Sequence, residues 1–249
     1  MKTKDNNPLK LIDANFLKIL AIIFMLLDHM WATVIPGNQW MTFVGRMAFP
    51  IFAFQISEGF IHTRDFKRYA KRLFWFAIIS EIPFNLFYSS SLFYPFHQNV
   101  LFTLLLGLFA IRALDRFKNE KTFKNFLLAV MTLLGTTLAA TFGFTDYGAM
   151  GVLTVVTFYL IRDFPFAWLC QIAAMFLLNI YFFTGMYIPV NLFGIAFDFQ
   201  VQGFALLSLI PISMYNGTKR HNHPILKYSM YVFYPLHMLI LYLITYYFY

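Results

Sequence analysis

Charged residues are scarce in this chain, at 12% of its 249 residues, about half the share found in a soluble domain. Cysteine occurs once, as Cys170 in an apolar stretch, which excludes an intrachain disulfide and a cysteine-based metal site. Hydrophobic residues make up 60% of the chain, and long apolar runs recur from end to end. These runs are continuous rather than alternating, which excludes an outer-membrane barrel. The composition therefore predicts an all-α polytopic membrane protein built as a transmembrane helical bundle.

The net charge of +8 would suit a nucleic-acid partner only if the basic residues formed a patch. They lie instead in short loops between apolar runs, where they determine topology, so no nucleic-acid partner is expected. No small-residue cleavage site follows the first apolar run, and we expect this run to remain as a membrane helix. The loops are too short to hold a soluble module, so residues 1–249 are predicted to form a single integral membrane domain.

Hydropathy predicts nine spans when about 20 residues are allowed for each crossing. The eighth is long, carries Asp198, Gln200 and Gln202 in its first half, and could instead be a re-entrant segment followed by a span. The predicted spans lie near residues 14–35, 41–61, 73–88, 98–114, 126–143, 147–162, 165–183, 190–214 and 228–248.

Every second loop is basic, which orients the predicted bundle. The loops at 36–41, 89–97, 143–147 and 184–189 contain no Lys or Arg. The positive-inside rule therefore places the N-terminus in the cytoplasm and the C-terminus outside. The basic residues on the other side are Lys2, Lys4, Lys10, Arg64, Lys67, Arg68, Lys71, Arg72, Arg112, Arg116, Lys118, Lys121, Lys124, Lys219, Arg220 and Lys227.

The first span carries three ionisable residues, Lys18, Asp28 and His29. Lys18 and His29 are eleven residues apart, which in a helix puts them on nearly the same face and about 16 Å apart along the axis. We expect Lys18 at the cytoplasmic edge and His29 deep in the membrane. Asp28 projects about 100° away from His29, so a hydrogen bond between them is not assumed. Ionisable groups within a span are costly, and they indicate a functional site.

Five further polar residues of the predicted spans are candidates for a functional role: Arg46, Glu58, Glu81, Asn99 and His237. Arg46 follows the pattern of a side chain that reaches the interface and binds lipid phosphate, and Glu58 that of a cap on the basic inner loop. Glu81 requires either protonation or a cationic partner such as Arg46. Two histidines together with several carboxylates favour function over packing alone.

Proline is expected to bend several of these spans. Pro50 cannot donate to the carbonyl of Arg46, which predicts a kink at that point. Pro83 follows Glu81 by two residues, and Pro235 precedes His237 by two. Carbonyls freed by proline need polar partners, as at the walls of a cavity within a bundle.

The spacing of Lys18 and His29, with SEGF at 57–60 and FYPLHMLIL near the end, resembles the family-three membrane acyltransferases. A likeness along almost the whole chain is to the TraX family, which is linked to N-terminal acetylation of F-type pilin. The strings that carry it are LLDHMW (26–31), GRMAFPIFAF (45–54), SEGF, RYAKRL (68–73), SEIPFNL (80–86), QNVLFTLLLG (98–107), YGAMGVL (147–153), PISMYNG (211–217) and FYPLH (233–237).

The resemblance implies an acetyl- or acyltransferase of the bacterial cytoplasmic membrane, with acetyl-CoA or another acyl-CoA as donor and no metal. The acceptor would be an amine or hydroxyl of an envelope protein, glycan or lipid, and membrane lipids surround the protein. His29 is the predicted base or acyl carrier, since imidazole titrates near neutral pH. Asp28, Glu81 and His237 complete the predicted catalytic set. The predicted substrate-binding residues are Lys18, Arg46, Glu58, Asn99, Arg64, Arg68 and Arg72.

Two other interpretations stay open. The basic loop from Arg64 to Arg72 suits the phosphates of coenzyme A, but it equally suits a topogenic anchor on anionic lipid. Buried carboxylates and histidines also form proton relays, as in a proton-coupled transporter or flippase. The absence of an internal inverted repeat argues against alternating access. A non-catalytic scaffold would have no use for two buried histidines.

Overall fold

A computed structural model of the chain describes residues 10–218 and 224–248, with side chains at 10–218 and 231–248. Lys2, Lys4, Lys219, Arg220 and the side chain of Lys227, which were assigned to cytoplasmic loops, lie outside the described residues. The chain divides into two compact units. The first comprises Met1–Phe52 and Trp168–Val232, and the second Ala53–Ala167 and Phe233–Tyr249.

The described chain is mostly helical, as predicted, and a helix or helical pair matches each predicted span except the eighth. The elements in chain order are α1 (Ala14–Ala32), α2 (Gln39–Gly45), α3 (Ala48–His62), α4 (Phe66–Ser89), α5 (Val100–Asn119), α6 (Phe123–Phe142), α7 (Gly148–Ile161), α8 (Ala167–Phe176), a π-helical segment (Leu177–Phe182), β1 (Tyr187–Leu192), β2 (Ile195–Gln200), a 3-10 segment (Val201–Ser208), α9 (Leu209–Ser213) and α10 (Pro224–Phe248).

Three of the described helices are long and apolar enough to cross a membrane: Ala14–Ala32, Phe123–Phe142 and Tyr231–Phe248. Shorter apolar helices run over Gly148–Ile161, Ala167–Phe182 and Val201–Ser213. The chain is therefore a membrane protein, and the full set of nine crossings stays a prediction.

The helix α6 shows the inverted surface of a helix that faces lipid. Its outer face exposes large apolar side chains at Met131, Leu134 and Leu138. The residues it buries are small or polar: Asn125, Ala129, Thr136 and Ala140. Small inward residues let membrane helices approach closely, because no hydrophobic force drives them together in lipid.

The prediction of an all-helical chain is wrong between residues 187 and 200. There β1 and β2 pair in antiparallel register, from Tyr187 opposite Gln200 to Leu192 opposite Ile195. The turn residues Phe193 and Gly194 both have positive φ, at 53° and 84°, as a type I′ hairpin turn requires. The first half of the predicted eighth span is thus a hairpin, and only the 3-10 segment and α9 after it are helical.

The second predicted span is broken at Arg46, where a kink was predicted. The helix α2 ends at Gly45 and α3 begins at Ala48, so Pro50 lies in the first turn of α3. Backbone N–H groups of a first turn have no partner within the helix, and a proline there removes no hydrogen bond.

Backbone contacts within each unit join loops that were predicted to share a side. In the first unit, Ile12 N–H donates to Met214 O at 3.0 Å and Asn216 N–H donates to Ile12 O at 2.9 Å. In the second unit, Gln98 and Thr145 form an isolated parallel bridge. Both pairings agree with the predicted topology. The assignment of either side to the cytoplasm stays a prediction.

Candidate functional site

In the first unit, Asp28 and Arg46 form an ion pair between α1 and the end of α2. Arg46 Nη2 donates to both carboxylate oxygens at 2.7 Å and to Thr42 Oγ1 at 3.0 Å. The side chain of Asp28 is 15% exposed and that of Arg46 is 25% exposed. Gly45 permits the approach, because a Cβ there would lie only 2.4 Å from Asp28 Cβ. The carboxylate of Asp28 is therefore held by Arg46, and a direct catalytic role for Asp28 stays a prediction.

His29 lies beside this pair in sequence, in the last turn of α1. Its imidazole is half-buried, and its backbone carbonyl accepts a hydrogen bond from Thr33 Oγ1 at 2.7 Å. Since α1 ends at Ala32, His29 is one turn from the end of the helix rather than near its middle. Lys18, in the second turn of α1, is also half-buried. The eleven-residue spacing on a continuous helix is as predicted, with about 16 Å between the two positions.

In the second unit, two loops hold His97 beside Asp146. Gln98 N–H donates to Phe144 O at 2.9 Å, and Asp146 N–H donates to Gln98 O at 2.8 Å. These bonds place His97 Nε2 at 3.6 Å from Asp146 Oδ1, an ion-pair distance too long for a hydrogen bond. The two side chains are 27% and 35% exposed, so solvent or a ligand has access to both.

Glu81 lies next to this pair, held by Asn99. Asn99 is fully buried and caps α5, where its Oδ1 accepts from Leu101 N–H at 3.1 Å. Its Nδ2 donates to Ala77 O at 2.9 Å and to Glu81 Oε2. The cationic partner suggested for Glu81 was Arg46. In the structure, the side-chain amide of Asn99 contacts the carboxylate of Glu81 directly. Arg46 instead pairs with Asp28.

The loop that carries Asp146 is tightly held and conformationally strained. Thr103 Oγ1 donates to Thr145 Oγ1 at 2.9 Å and also contacts the carbonyl of Asp146. Phe144 and Tyr147 have positive φ, at 51° and 64°, which costs a non-glycine residue about 1–2 kcal/mol. Strain of this kind persists where the surrounding contacts fix the backbone, and it is concentrated at functional sites.

Aromatic rings enclose His97. Its ring lies 4.3 Å from the Tyr88 centroid and 5.3 Å from that of Phe84. The helix α10 contributes Tyr234, a buried residue that interacts with the backbone of Val100 and with the charges of Asp146 and Glu81. The polar groups are thus gathered within an apolar surround, where electrostatic interactions are stronger than in water.

His237 is a buried residue whose ring is fixed by its own helix. Its Nδ1 lies 2.8 Å from Phe233 O, and because a carbonyl can only accept, Nδ1 carries the proton. The ring also stacks on Phe233 at 4.8 Å. These contacts fit the secondary role predicted for His237 rather than that of the principal base.

Glu58 is engaged by Arg162 at the end of α7. Arg162 Nη1 lies 2.6 Å from Glu58 Oε1, and His62 Nε2 lies 3.4 Å from Glu58 Oε2. The carboxylate joins α3 to α7, and any substrate contact through Glu58 must compete with this pair. Its predicted role as a cap on basic residues is closest to the observed contacts.

We expect a measurable coupling between Glu58 and Arg162 in stability. Replacing either with Gln leaves the other charge half-buried and without its partner, so each variant should melt at a lower temperature. The double variant should lose less than the sum, with a coupling of about 0.5–3 kcal/mol by thermal unfolding in detergent. His62→Gln is the control and should change little, because His62 is half exposed. Additive effects would show that the ion pair contributes nothing.

The basic residues predicted to bind a donor are spread along an exposed surface. Arg64 and Arg68 are exposed, and Arg68 Nε lies 3.5 Å from Asp65. Arg72 is half-buried, with its guanidinium 5.4 Å from the Tyr69 ring centroid. Among residues 10–218 and 224–248, no group of three or more His, Cys, Asp or Glu side chains is placed to hold a metal ion.

Sequence reasoning missed His97 and Asp146. A signal was present, because His97 lies in the loop 89–97 and Asp146 in the loop 143–147, and both loops were assigned to the outer side. Neither residue lies within an apolar run, so a search for charges inside spans passed over both.

The family described as "TraX protein" matches residues 13–245 of this chain. A probable fimbrial assembly protein, FimC of serogroup H1 from Dichelobacter nodosus, is 38% identical over 106 residues. That match covers 38% of this chain and 43% of FimC, so it spans less than half of the relative's length. No solved structure matches the chain. The family match takes in nearly all of the sequence, including Lys18, His29, His237 and the loops around His97. The chain belongs to the TraX family.

Proposed function

We propose that this protein is a membrane acetyltransferase that moves an acyl group from cytoplasmic acyl-CoA to an amine or hydroxyl in the cell envelope. The observation that carries the proposal is the position of His29 on α1, eleven residues after Lys18, within a family match over residues 13–245. FimC is described as a probable fimbrial assembly protein, which supports an envelope polypeptide as the acceptor. We propose the bacterial cytoplasmic membrane as its location.

The chemistry asks for a base and for an electrostatic environment that stabilises an oxyanion. In one route His29 takes the proton of the acceptor and the nucleophile adds to the thioester carbonyl. The C–S bond then breaks, and coenzyme A leaves as its thiol after receiving that proton from His29. In the other route His29 itself attacks the thioester, and the acyl-imidazole then passes its acyl group to the acceptor. The half-buried position of His29 supports both routes, since the ring is neither exposed nor sealed off.

The experiment that tests the proposal follows radiolabelled acetyl from acetyl-CoA. The purified full chain in lipid nanodiscs is mixed with envelope membranes from a strain that lacks it, and protein, glycan and lipid fractions are counted. Label should enter one fraction in proportion to the enzyme added. Coenzyme A should also bind the purified protein in calorimetry. A protein that neither binds coenzyme A nor labels any fraction is not an acyltransferase, and a transport function would then be the better proposal.

Donor binding is expected to depend on two arginines in the first two turns of α4, the exposed Arg68 and the half-buried Arg72. Replacing Arg68 and Arg72 together with Gln should raise the coenzyme A dissociation constant by about tenfold or more, since each lost bond to a charged phosphate is worth about 1.5–3 kcal/mol. The remaining binding should be less sensitive to salt.

The matched control replaces Lys121 and Lys124, two exposed basic residues at the start of α6, and should bind coenzyme A normally. An unchanged affinity in the double arginine variant, with normal insertion, would mean that these arginines only anchor the loop.

A further inference from the structure

We infer that Glu81, His97, Asn99 and Asp146 form the acceptor site of the transfer reaction, in which His97 removes a proton from the acceptor's nucleophile. We call these four residues the acceptor cluster. The inference rests on the proposed function, and it adds a base that is distinct from His29. All four residues belong to the second unit.

The acceptor cluster is built before any ligand arrives. Asp146 is fixed by its backbone bond to Gln98, and Asn99 by its cap of α5 and its bond to Ala77 O. Groups held in this way stabilise a developing charge without reorganising during the reaction. Phe144 and Tyr147, on either side of Asp146, have left-handed backbone conformations. Such conformations are unfavourable for non-glycine residues, and they persist where surrounding contacts fix the backbone, as at functional sites.

His97 and Asp146 have the relation of a base and the group that orients it. Nε2 faces the carboxylate, so a proton on Nε2 points towards Asp146 and the lone pair on Nδ1 is available to accept a second proton. The 3.6 Å separation is longer than a hydrogen bond, and such contacts commonly tighten when a substrate is bound. Asp146 then stabilises the imidazolium that forms.

Unsatisfied acceptor atoms beside the pair indicate what the ligand must supply. Glu81 Oε1 and Asn85 Oδ1 are buried oxygens without a hydrogen-bond partner among the described residues. Asn85 is only 2% exposed and lies one turn from Glu81 on the same face of α4. A buried acceptor without a partner costs about 1–3 kcal/mol, so both atoms favour a ligand that brings N–H or O–H donors.

The charge of the acceptor cluster favours a cationic acceptor. Glu81 and Asp146 are both acidic, and the loops 89–97 and 143–147 contain no Lys or Arg. The rings of Tyr88 and Phe84 beside His97 add faces that attract an ammonium group. An acceptor amine would enter as its ammonium ion and would have to lose a proton before it could react.

The proposed step balances as follows. The ammonium gives one proton to His97 Nδ1, and the free amine adds to the acyl carbonyl to form a C–N bond. As the tetrahedral intermediate collapses, the bond to the thiol sulfur breaks, and the nitrogen's second proton passes to that sulfur, giving the coenzyme A thiol. The proton on His97 is then released to water. Glu81 and Asn99 position the amine and do not change protonation.

The test uses the labelled-acetyl assay with the full chain and envelope membranes. His97→Gln should reduce transfer by about 10²–10⁴-fold, the usual worth of a general base, while coenzyme A binding is unchanged. Asp146→Asn, which keeps the size of the side chain, should reduce transfer at least tenfold. His97→Ala should regain part of its activity when imidazole is added, because the site is partly open to solvent. A packing role would not respond to imidazole.

The matched control is His62→Gln. His62 also lies beside a carboxylate of the second unit, Glu58, but it belongs to the loop end of α3, and transfer should be normal. If His97→Gln fails to insert, Asp146→Asn and the imidazole rescue decide the question. Normal transfer by folded His97→Gln, or by folded Asp146→Asn, would overturn the inference while leaving the proposed function intact. A wild-type protein that labels nothing would instead refute the proposed function itself.

Discussion

His29→Gln is expected to abolish acyl transfer while leaving the protein folded, inserted and able to bind coenzyme A. Glutamine keeps polarity and approximate size but lacks a basic nitrogen, so it can neither take a proton nor carry an acyl group. Loss of a general base typically costs about 10²–10⁴-fold in rate. Loss of an acyl carrier would remove the reaction entirely. The measurement is initial transfer rate in the labelled-acetyl assay, with His29→Ala expected to behave in the same way.

The comparison that makes this result specific is His237→Gln. His237 is buried and donates through Nδ1 to the carbonyl of Phe233, so its loss should disturb packing and lower activity only in part. Trapping with acetyl-CoA in the absence of acceptor separates the two roles of His29. If the wild-type protein becomes labelled and His29→Gln does not, His29 is an acyl carrier. If the wild-type protein stays unlabelled, His29 acts as a base. A folded His29→Gln protein with near-normal turnover would refute His29 as base or carrier, and the base would then be sought at His97 and His237.

The helices were predictable because each corresponds to a long apolar run in the sequence. The loops were predictable because basic residues interrupt those runs. The hairpin at 187–200 was not, since β1 and β2 are as apolar as a short span. Phe193, at the tip of the hairpin, is 97% exposed. Hydropathy alone would assign such an apolar residue to a membrane span. What distinguishes the hairpin is the left-handed pair Phe193 and Gly194, a backbone property that composition expresses only weakly.

The sequence could identify candidate site residues but not their partners in the fold. Ionisable residues within apolar runs identified Asp28, His29 and Glu81 from cost alone. Which residue meets which is decided by tertiary contacts: Gly45 admits Asp28 to Arg46, and the cap of α5 brings Asn99 to Glu81. His97 escaped notice because a histidine in a loop carries no such cost. Its significance comes from Asp146, which is 49 positions away in sequence and beside it in the fold.

The ion pair of Asp28 and Arg46 should be the largest single electrostatic contribution that can be removed from the first unit. Asp28→Asn removes the negative charge that Arg46 Nη2 contacts at 2.7 Å, and Arg46→Gln removes the positive charge that holds the carboxylate of Asp28. Breaking a fully buried pair costs about 3–5 kcal/mol. This pair is partly buried, with the side chains of Arg46 and Asp28 25% and 15% exposed, so the loss should be smaller than that figure but larger than for an exposed pair. Each single variant should therefore melt well below the wild type in detergent and accumulate poorly in membranes.

The double variant distinguishes a structural pair from a pair of substrate contacts. Asp28→Asn with Arg46→Gln leaves no isolated charge, so it should recover much of the lost stability. The matched pair is Asp65 and Arg68, whose side chains are 52% and 82% exposed, and the same cycle there should give less than about 1 kcal/mol. Gly45→Ala should reproduce the destabilisation, because the added Cβ displaces Asp28. If the Asp28 and Arg46 variants instead keep the wild-type melting temperature and lose only transfer, both residues act on the substrate, and Gly45 serves to bring them to it.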